Sequence, residues 1–441
     1  MENSIKLTFQ DVTFFSNSVV DDAGRVFSYN DKIYRAIWNK DVADVYKQML
    51  SSAYMNEFYD AGLIRTKIAN HIELENTFLI LEHEKVFFHT TPVEFTDQMF
   101  WEAGRTICKL AHALNIRGYA LKDSHPWNIM FHKGQPVFVD FTSIVKGNFD
   151  GNTWANEFYL YVLIPIFLSS KRRLKRLSVE YRRENSIGLG LTIAKHKLIR
   201  KLFSLFSGIS LNPNFHTYLS NVSRWIENTP PKKTTTDIWT NYLDESDESP
   251  LNPVTEKDIF VYKALSKQKP NTVLDTATNT GYFTEMAALL GASVVAFDYE
   301  ESCIDRCIDR VKQKKLNVTP VLMDFRYPTP DNDLGLSLPN SLVRFRSDVV
   351  IAMGLIHHLC LKQGFPVGLF CDLLLKYSKK GIILEYVDIE DLHVKKWNVK
   401  APNDYNLDFV INKIKSNFKN CETHHLFTTD GLNRTFLHFY Q

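Results

Sequence analysis

The sequence is poor in several features that would narrow its function at once. It holds six cysteines in 441 residues, and Cys108, Cys303, Cys307, Cys360, Cys371 and Cys421 are too scattered for a disulfide ladder or a Cys-x-x-Cys metal pair. Free thiols in a reducing cytoplasm are the expected state. Cys303 and Cys307, four apart in a helical stretch, read as packed side chains. The net charge is only +2, so no whole-molecule field draws the chain to polyanions. The start, MENSIKLTFQD, has no basic start followed by an apolar core, which argues against a secretory leader. The longest apolar run, Tyr159 to Leu168, is too short to span a bilayer and contains Pro165, which predicts a buried helix instead. There is no internal repeat.

What is present suits a globular protein. Apolar residues make up 44% and charged residues 23%, with 31 Phe and 19 Tyr to fill cores, and the length predicts two substantial units. Arg25 to Tyr29, Asn30-Asp31 and Lys32 to Trp38 read as a hairpin. Met99, Phe100, Ala103, Ile107, Leu110, Ala111 and Leu114 fall at helical spacing between Thr96 and Leu114. A second hairpin is predicted from Asn128 through Lys133-Gly134 to Asp140, and helices through 155–228. A stretch rich in Pro, Lys, Thr, Asp, Glu and Ser marks a linker at 229–252, separating units 1–228 and 253–441.

In the last third the pattern changes to short β-branched runs alternating with helical ones: Thr272 to Asp275, Ser293 to Asp298, Val318 to Asp324, Asp348 to Met353 and Ile382 to Val387. This predicts an α/β domain of Rossmann-like class, a mostly parallel sheet with an antiparallel edge formed by Thr423 to Thr428 and Arg434 to Tyr440. The first strand stops at Asp275 and is followed by small residues, Ala277, Asn279 and Gly281, where a ligand must lie against backbone and a helix N-terminus. The second ends at Asp298, 23 residues on, at the spacing where a carboxylate accepts both ribose hydroxyls. The third ends at Asp324. Carboxylates on consecutive strand tips share the rim where open α/β sheets bind ligands. A nucleotide dehydrogenase would use a similar strand order with a G-x-G-x-x-G turn; the antiparallel ending and the Asp324 strand favour a methyltransferase.

The stretch from about Trp239 to Gln441 resembles class I methyltransferases of the nodulation host-specificity family of NoeA type. The likeness rests on Val273-Leu-Asp-x-x-x-Asn-Thr-Gly281, Val295-Ala-Phe-Asp298, Met323-Asp324 followed by Pro328-x-Pro330, Ile356-His357-His358-Leu359 and Ile383-Leu-Glu385-Tyr-Val387. It implies S-adenosyl-L-methionine as cofactor, held by Asp275, Ala277, Asn279, Gly281, Asp298 and Asp324, and a sugar or glycoconjugate acceptor. Ala277 stands where the family usually has Gly, which the backbone tolerates if φ there is negative. His357 and His358 follow the fourth strand, whose tip faces the sulfonium methyl in this architecture. Either is a candidate base for an acceptor hydroxyl, with a titration midpoint expected near neutrality. One histidine alone is more often a packed, hydrogen-bonded residue, and no zinc ligand set accompanies the pair. Glu385, ending the fifth strand, is expected to orient one imidazole or to lie unused on the rim.

Earlier in the chain, Leu121-Lys-Asp123-Ser-His-Pro-Trp-Asn128 and Val137-Phe-Val-Asp140 have the spacing of a phosphotransferase catalytic loop. In that logic Asp123 orients or deprotonates an acceptor hydroxyl, while Asn128 and Asp140 hold Mg²⁺ for ATP chemistry. The stretch looks like protein-kinase-like and aminoglycoside-phosphotransferase-like α+β folds, and the same order of residues occurs at the front of the NoeA-type family. It departs from active kinases in lacking a glycine-rich loop and in presenting Arg35 where a phosphate-binding Lys is usual. Three readings follow: a methyltransferase whose kinase-like domain binds the substrate, a bifunctional kinase and methyltransferase, and a non-catalytic ligand-binding protein. The basic residues of 171–201 are solvated helix faces by default; the alternative is a contact with an acidic glycan or an anionic membrane. No nucleic-acid-binding module accompanies them.

Overall fold

The computed structural model of the protein describes residues 4–15, 18, 23–147, 151–171, 173–184, 214–232, 249–331 and 338–441. Most of the segment read as a linker, and the basic residues from 185 to 201, lie outside the described residues. The chain divides into two units. One comprises residues 1–131, 136–233 and 332–338, the other residues 132–135, 234–331 and 339–441.

In the N-terminal unit β1 (Thr13–Phe14), β2 (Gly24–Tyr29), β3 (Lys32–Ile37), β4 (Thr66–Ile68) and β5 (Leu79–His83) form an antiparallel sheet in the order β1-β2-β3-β5-β4. The β2–β3 turn is the predicted Asn30-Asp31, with φ of 46° and 62°. A two-residue turn with both φ positive matches the twist of its strands, and Asn and Asp are the side chains that tolerate it best after Gly. Phe27, Tyr34, Ala36 and Ile80 carry one face of this sheet into a core with Leu7, Ile72 and Leu74. Between β3 and β4 lies α1 (Lys40–Leu50), capped by Asn39.

The long helix α2 (Asp97–Ile116) begins where Thr96 Oγ1 accepts the Met99 N–H at 3.1 Å, and it buries the seven apolar residues that the spacing predicts. Next, β6 (Tyr119–Leu121) pairs antiparallel with β9 (Ile144–Lys146), and between them β7 (Ile129–His132) and β8 (Gln135–Phe138) form the second predicted hairpin. Its turn, Lys133-Gly134, again holds two positive φ angles, 52° and 71°.

The apolar run after this is a helix with an irregular centre. α3 (Gly151–Phe158) passes through a π turn at Tyr159–Leu163 into α4 (Ile164–Ser169). The wider turn stands just ahead of Pro165, which has no N–H to give and whose ring crowds the turn before it. Tyr159, Val162, Leu163, Ile164 and Ile166 are buried, and no helix among the described residues is long and apolar enough to cross a membrane. α5 (Lys175–Glu184) and α6 (Phe215–Glu227) complete the unit. Two basic residues of the 171–201 region have partners within the fold. Arg182 is buried and donates to Asp97 at 2.7 Å and to the Phe95 carbonyl at 3.1 Å, while Lys175 lies 3.7 Å from the same carboxylate.

The C-terminal unit opens with α7 (Glu256–Gln268), then alternates β10 (Thr272–Asp275), α8 (Tyr282–Leu289), β11 (Ser293–Asp298), α9 (Glu301–Lys314), β12 (Val318–Leu322), β13 (Ser347–Ala352), α10 (Val367–Tyr377) and β14 (Ser378–Val387). After α11 (Leu392–Lys395) and α12 (Leu407–Lys415) come β15 (Asn420–Phe427) and β16 (Asn433–Tyr440). The seven strands run in the order β12-β11-β10-β13-β14-β16-β15. The first five are parallel neighbours, and β16 is antiparallel to both β14 and β15. The expected mixed α/β sheet is present, with one refinement: the final strand inserts between β14 and β15, so β15 forms the edge. Val273, Val294, Ile351, Ile383 and Phe436 of this sheet meet Val261, Leu265, Met286 and Val311 of the helices. Cys307 belongs to that core and Cys303 is buried beside it, both as free thiols.

Candidate active site

The turn after β10 is pinned at several points. Thr276 N–H donates to the Ile351 carbonyl at 3.0 Å, Thr278 N–H to the Phe297 carbonyl at 3.2 Å, and Gly281 N–H to the Thr278 carbonyl at 2.9 Å. Asn279 and Gly281 hold positive φ, 49° and 92°, and Gly281 is the N-cap of α8. A Cβ on Gly281 would stand 3.0 Å from Cys307 Sγ as well as being strained, which explains the glycine. Ala277 is not among the positive-φ residues. Beneath the turn lies Asp275, buried, whose Oδ2 accepts Thr284 Oγ1–H at 2.7 Å; the Ala277 N–H and Thr278 hydroxyl also serve it. Its donors are all neutral. Burial therefore outweighs them and pushes its carboxyl up to about 6.

Asp298 lies at the tip of β11 as predicted and is clasped by backbone. Its Oδ2 accepts the Asn279 N–H and its Oδ1 the Glu300 N–H, each at 3.0 Å. Burial pushes this group up to about 6 too, against those two hydrogen bonds. Asp324 stands two residues beyond the end of β12 and is engaged by a cation: Arg326 Nη2 reaches its Oδ2 at 2.6 Å and Arg326 Nε its Oδ1 at 3.0 Å.

His357 and His358 follow β13, with ring centroids 4.2 Å apart. His357 is 6% exposed, and its Nδ1 is buried without a hydrogen-bond partner. Burial, helped by the neighbouring His358, lowers His357 well below its ordinary value. Burial and Lys362 bring His358 down to about 4. Both imidazoles are therefore neutral across the physiological range, a correction to a midpoint near neutrality. Glu385 also differs from a free rim carboxylate. It is fully buried and accepts from Lys257 Nζ at 2.7 Å, Gly354 N–H at 2.8 Å and Arg434 Nη1 at 3.0 Å. Burial raises its carboxyl, but Lys257 and Arg434 together outweigh that and hold it at about 2. Its bonds go to two cations and the chain at Gly354, so it acts on the imidazoles through charge alone.

In the N-terminal unit the residues of the phosphotransferase-like spacing do converge. Asp123, Asn128 and Asp140 line one cavity of about 1250 Å³, together with Arg35, His83 and His125. Asp140 has an internal counter-ion: Arg35 Nη2 lies 3.2 Å from Oδ1, the same oxygen that accepts Thr142 Oγ1–H at 2.8 Å, and Arg35 Nη1 donates to Thr142. Asp123 is positioned through its N–H, which donates to Ser143 Oγ at 3.0 Å. Ligand atoms of Asp123, His125 and Glu157 lie within 4.8 Å of one another. One Glu157 oxygen already accepts the Ser124 N–H at 2.7 Å. His83 is buried beside Arg35, and burial and then that cation push it down to about 3.

Sequence spacing did not point to Lys257, Arg434, Thr284, Glu157 or His83. Only Thr284 carried a local signal, lying in the first turn of the helix after the strand that ends at Asp275.

Comparison with known proteins bears on the whole chain. No family model matches the sequence. Among solved structures, TehB from Haemophilus influenzae is 12% identical at a TM-score of 0.31, covering 41% of this chain and 61% of its own. The bifunctional kinase-methyltransferase WbdD is 15% identical at 0.31, covering 42% of this chain and 38% of its own. The N-methyltransferase NodS from Bradyrhizobium japonicum WM9, solved with S-adenosyl-L-homocysteine, is 13% identical at 0.32, covering 45% of this chain and 93% of its own. At the level of sequence, the chain is similar to Nodulation protein NoeA of Rhizobium meliloti (strain 1021), 25% identical over 424 residues with 86% of each chain covered.

Proposed function

We propose that the C-terminal unit is an S-adenosyl-L-methionine-dependent methyltransferase, acting on a hydroxyl of a sugar or glycoconjugate in the cytoplasm, and that the N-terminal unit binds that substrate. The observation that carries this reading is the pair of carboxylates Asp275, buried, and Asp298, half-buried, both on strand tips, both hydrogen-bonded only by neutral donors, and both bordering the Ala277–Gly281 turn. A buried carboxylate without a cation is an unbalanced site for negative charge, and a positively charged ligand balances it. Asp298, with only two backbone donors on its carboxylate, keeps lone pairs for ribose hydroxyls. The cofactor would supply an electrophilic methyl on a sulfonium.

The chain's own residues supply the rest. An alcohol ionises far above neutral pH, so its attack is helped by a base that takes the proton as the new bond forms. His357 and His358 stand at the tip of β13 with neutral rings able to receive it. Glu385, Lys257 and Arg434 fix the backbone of Gly354 just ahead of them. In the N-terminal unit a cavity with several convergent polar groups suits a hydroxyl-rich acceptor or its carrier. ATP and Mg²⁺ fit it less well, because the Asp140 oxygen nearest Arg35 is already shared between that cation and Thr142.

Calorimetric titration with S-adenosyl-L-methionine and S-adenosyl-L-homocysteine tests the reading, followed by methyl uptake into cell-surface glycan extracts. Saturable binding is expected. No heat and no thermal shift with either ligand would remove the proposal.

A further inference from the structure

The imidazole pair has no hydrogen bond to orient its buried member. A buried histidine is ordinarily fixed through its second nitrogen by a carbonyl or carboxylate, yet Nδ1 of His357 has no such partner. What it has is an indole. The ring of Trp397 lies 5.6 Å from that of His357 with only 6° between their planes, and 5.0 Å from that of His358. Lys362 Nζ stands 5.3 Å from the same indole.

The tryptophan is held in place by the charge network already described. Its backbone N–H donates to the Val394 carbonyl at 2.9 Å, at the end of α11. That helix is capped by Asp391, which is fully buried and accepts the His393 N–H at 2.9 Å, the Asn433 N–H at 3.0 Å and Arg434 Nε at 3.3 Å. Arg434 in turn holds Glu385. A continuous path therefore runs from the tip of β14, through Arg434 and Asp391, to the indole that covers the two imidazoles.

We propose that Trp397 is a positioning residue for methyl transfer, fixing the ring plane of His357 by stacking, packing at a tilt against His358, and shielding the pair from water. This rests on the proposed methyltransferase reading. A flat ring parallel to His357 limits rotation about its χ2, which a hydrogen bond would otherwise do. It also removes solvent from one face of the pair. The charged groups that bear on these imidazoles are Glu385 from β14, Arg434 from β16, Lys257 from α7 and Lys362 from the turn after His358; Trp397 adds no charge, so its effect is shape and dryness.

The test uses the full chain with isotope-labelled histidine and follows each imidazole by NMR as pH is lowered, with His357→Gln and His358→Gln assigning the signals. In Trp397→Ala the His358 midpoint is expected to rise from about 4 by about one unit or more, as lost burial requires, and Trp397→Phe is expected to restore it. In parallel, kcat should fall about tenfold or more while the affinity for S-adenosyl-L-methionine is unchanged. Trp397→Leu keeps apolar cover but no flat face, and is expected to lower kcat with the His358 midpoint still depressed. It also stands in should the Ala variant not fold. Unmoved midpoints in a folded Trp397→Ala, or full kcat in Trp397→Leu, would overturn the proposal. Should the wild-type protein transfer no methyl to any acceptor, the titration still decides whether Trp397 governs the imidazoles.

Discussion

Two sets of strand-tip carboxylates in the C-terminal unit are satisfied by different partners. At the tip of β14, Glu385 meets Lys257 and Arg434 and is held at about 2. At the tips of β10 and β11, Asp275 and Asp298 meet hydroxyl and N–H donors only, and burial leaves both at about 6. Asp140 in the N-terminal unit, with Arg35, belongs with Glu385 in this respect. A carboxylate bonded to a cation within the chain holds the fold together; one bonded only to neutral donors, with Lys257 acting on Asp275 at a distance, is a place where the protein still favours positive charge from outside. The two sets should therefore respond in opposite ways to mutation and to pH.

The largest effect is expected next to the balanced set. If one imidazole is the base, replacing both His357 and His358 by Gln should lower the methyl-transfer rate by roughly 100-fold to 10,000-fold with cofactor affinity nearly intact. With the cofactor saturating, the wild-type rate should stay level from pH 8 down to about 5 and fall as pH approaches about 4, because His358 is held there and His357 well below its ordinary value. An inflection near 6.5 would show wet, unperturbed rings. Wild-type rates in the double variant would make the histidines structural and move the search for a base to other residues.

Glu385→Gln comes next, and its effect is expected on folding. The substitution removes the counter-ion that Lys257 and Arg434 share, but Arg434 keeps Asp391 and Lys257 is partly exposed, so the cost should lie near the lower end for a broken buried pair, about 3 kcal/mol of stability, read by chemical unfolding of the C-terminal unit. Glu385 has a native value below its ordinary one, so the stability it contributes is present above about 4.5 and lost as pH falls towards about 2. Asp275 and Asp298 have native values above their ordinary ones, so their contribution is present below about 4 and lost as pH rises through about 6. Asp298→Asn should flatten that second slope and leave the first. Parallel pH profiles for the two variants would dissolve the distinction between the sets.

Asp298→Ala should weaken S-adenosyl-L-methionine binding by about 1.5 to 3 kcal/mol, since it removes an acceptor for ribose hydroxyls and releases the Asn279 and Glu300 N–H groups. Calorimetry measures it directly. Unchanged affinity would mean that the ribose is held elsewhere.

Local chemistry was legible in the sequence where it depends on neighbours along the chain. Asn30-Asp31 and Lys133-Gly134 announced their turns, and Asp275 and Asp298 fall on the last residues of the strands that predicted them. The partners of charged groups were not legible. Lys257 reaches Glu385 from a helix before the first strand of its sheet, Arg434 from the last strand, and Arg35 meets Asp140 from a different part of its unit. Such pairs depend on tertiary placement, and spacing along the chain carries no trace of it. That is why Glu385 was expected on the rim, and why the imidazoles were expected near neutrality, when burial and nearby cations set both.

The smallest effect tests whether the uncompensated set is a working cofactor site despite alanine at position 277. Ala277 stands where the resemblance to NoeA-type methyltransferases leads one to expect glycine, but its φ is not in the left-handed region, and its N–H serves Asp275. Any residue except proline offers that N–H. A glycine at 277 gains no conformational freedom that the native turn uses, and it adds entropy to the unfolded chain. Ala277→Gly should therefore lower stability by about 0.4 to 1 kcal/mol and leave the affinity for S-adenosyl-L-methionine within about twofold, a change of roughly 0.4 kcal/mol. The two readouts separate the explanations, because an obstructing methyl would raise affinity whatever it did to folding. A tenfold tighter complex in the Gly variant would mean that the Ala277 methyl stands in the way of the cofactor, and that the turn, though formed, is a weakened version of the site its carboxylates favour.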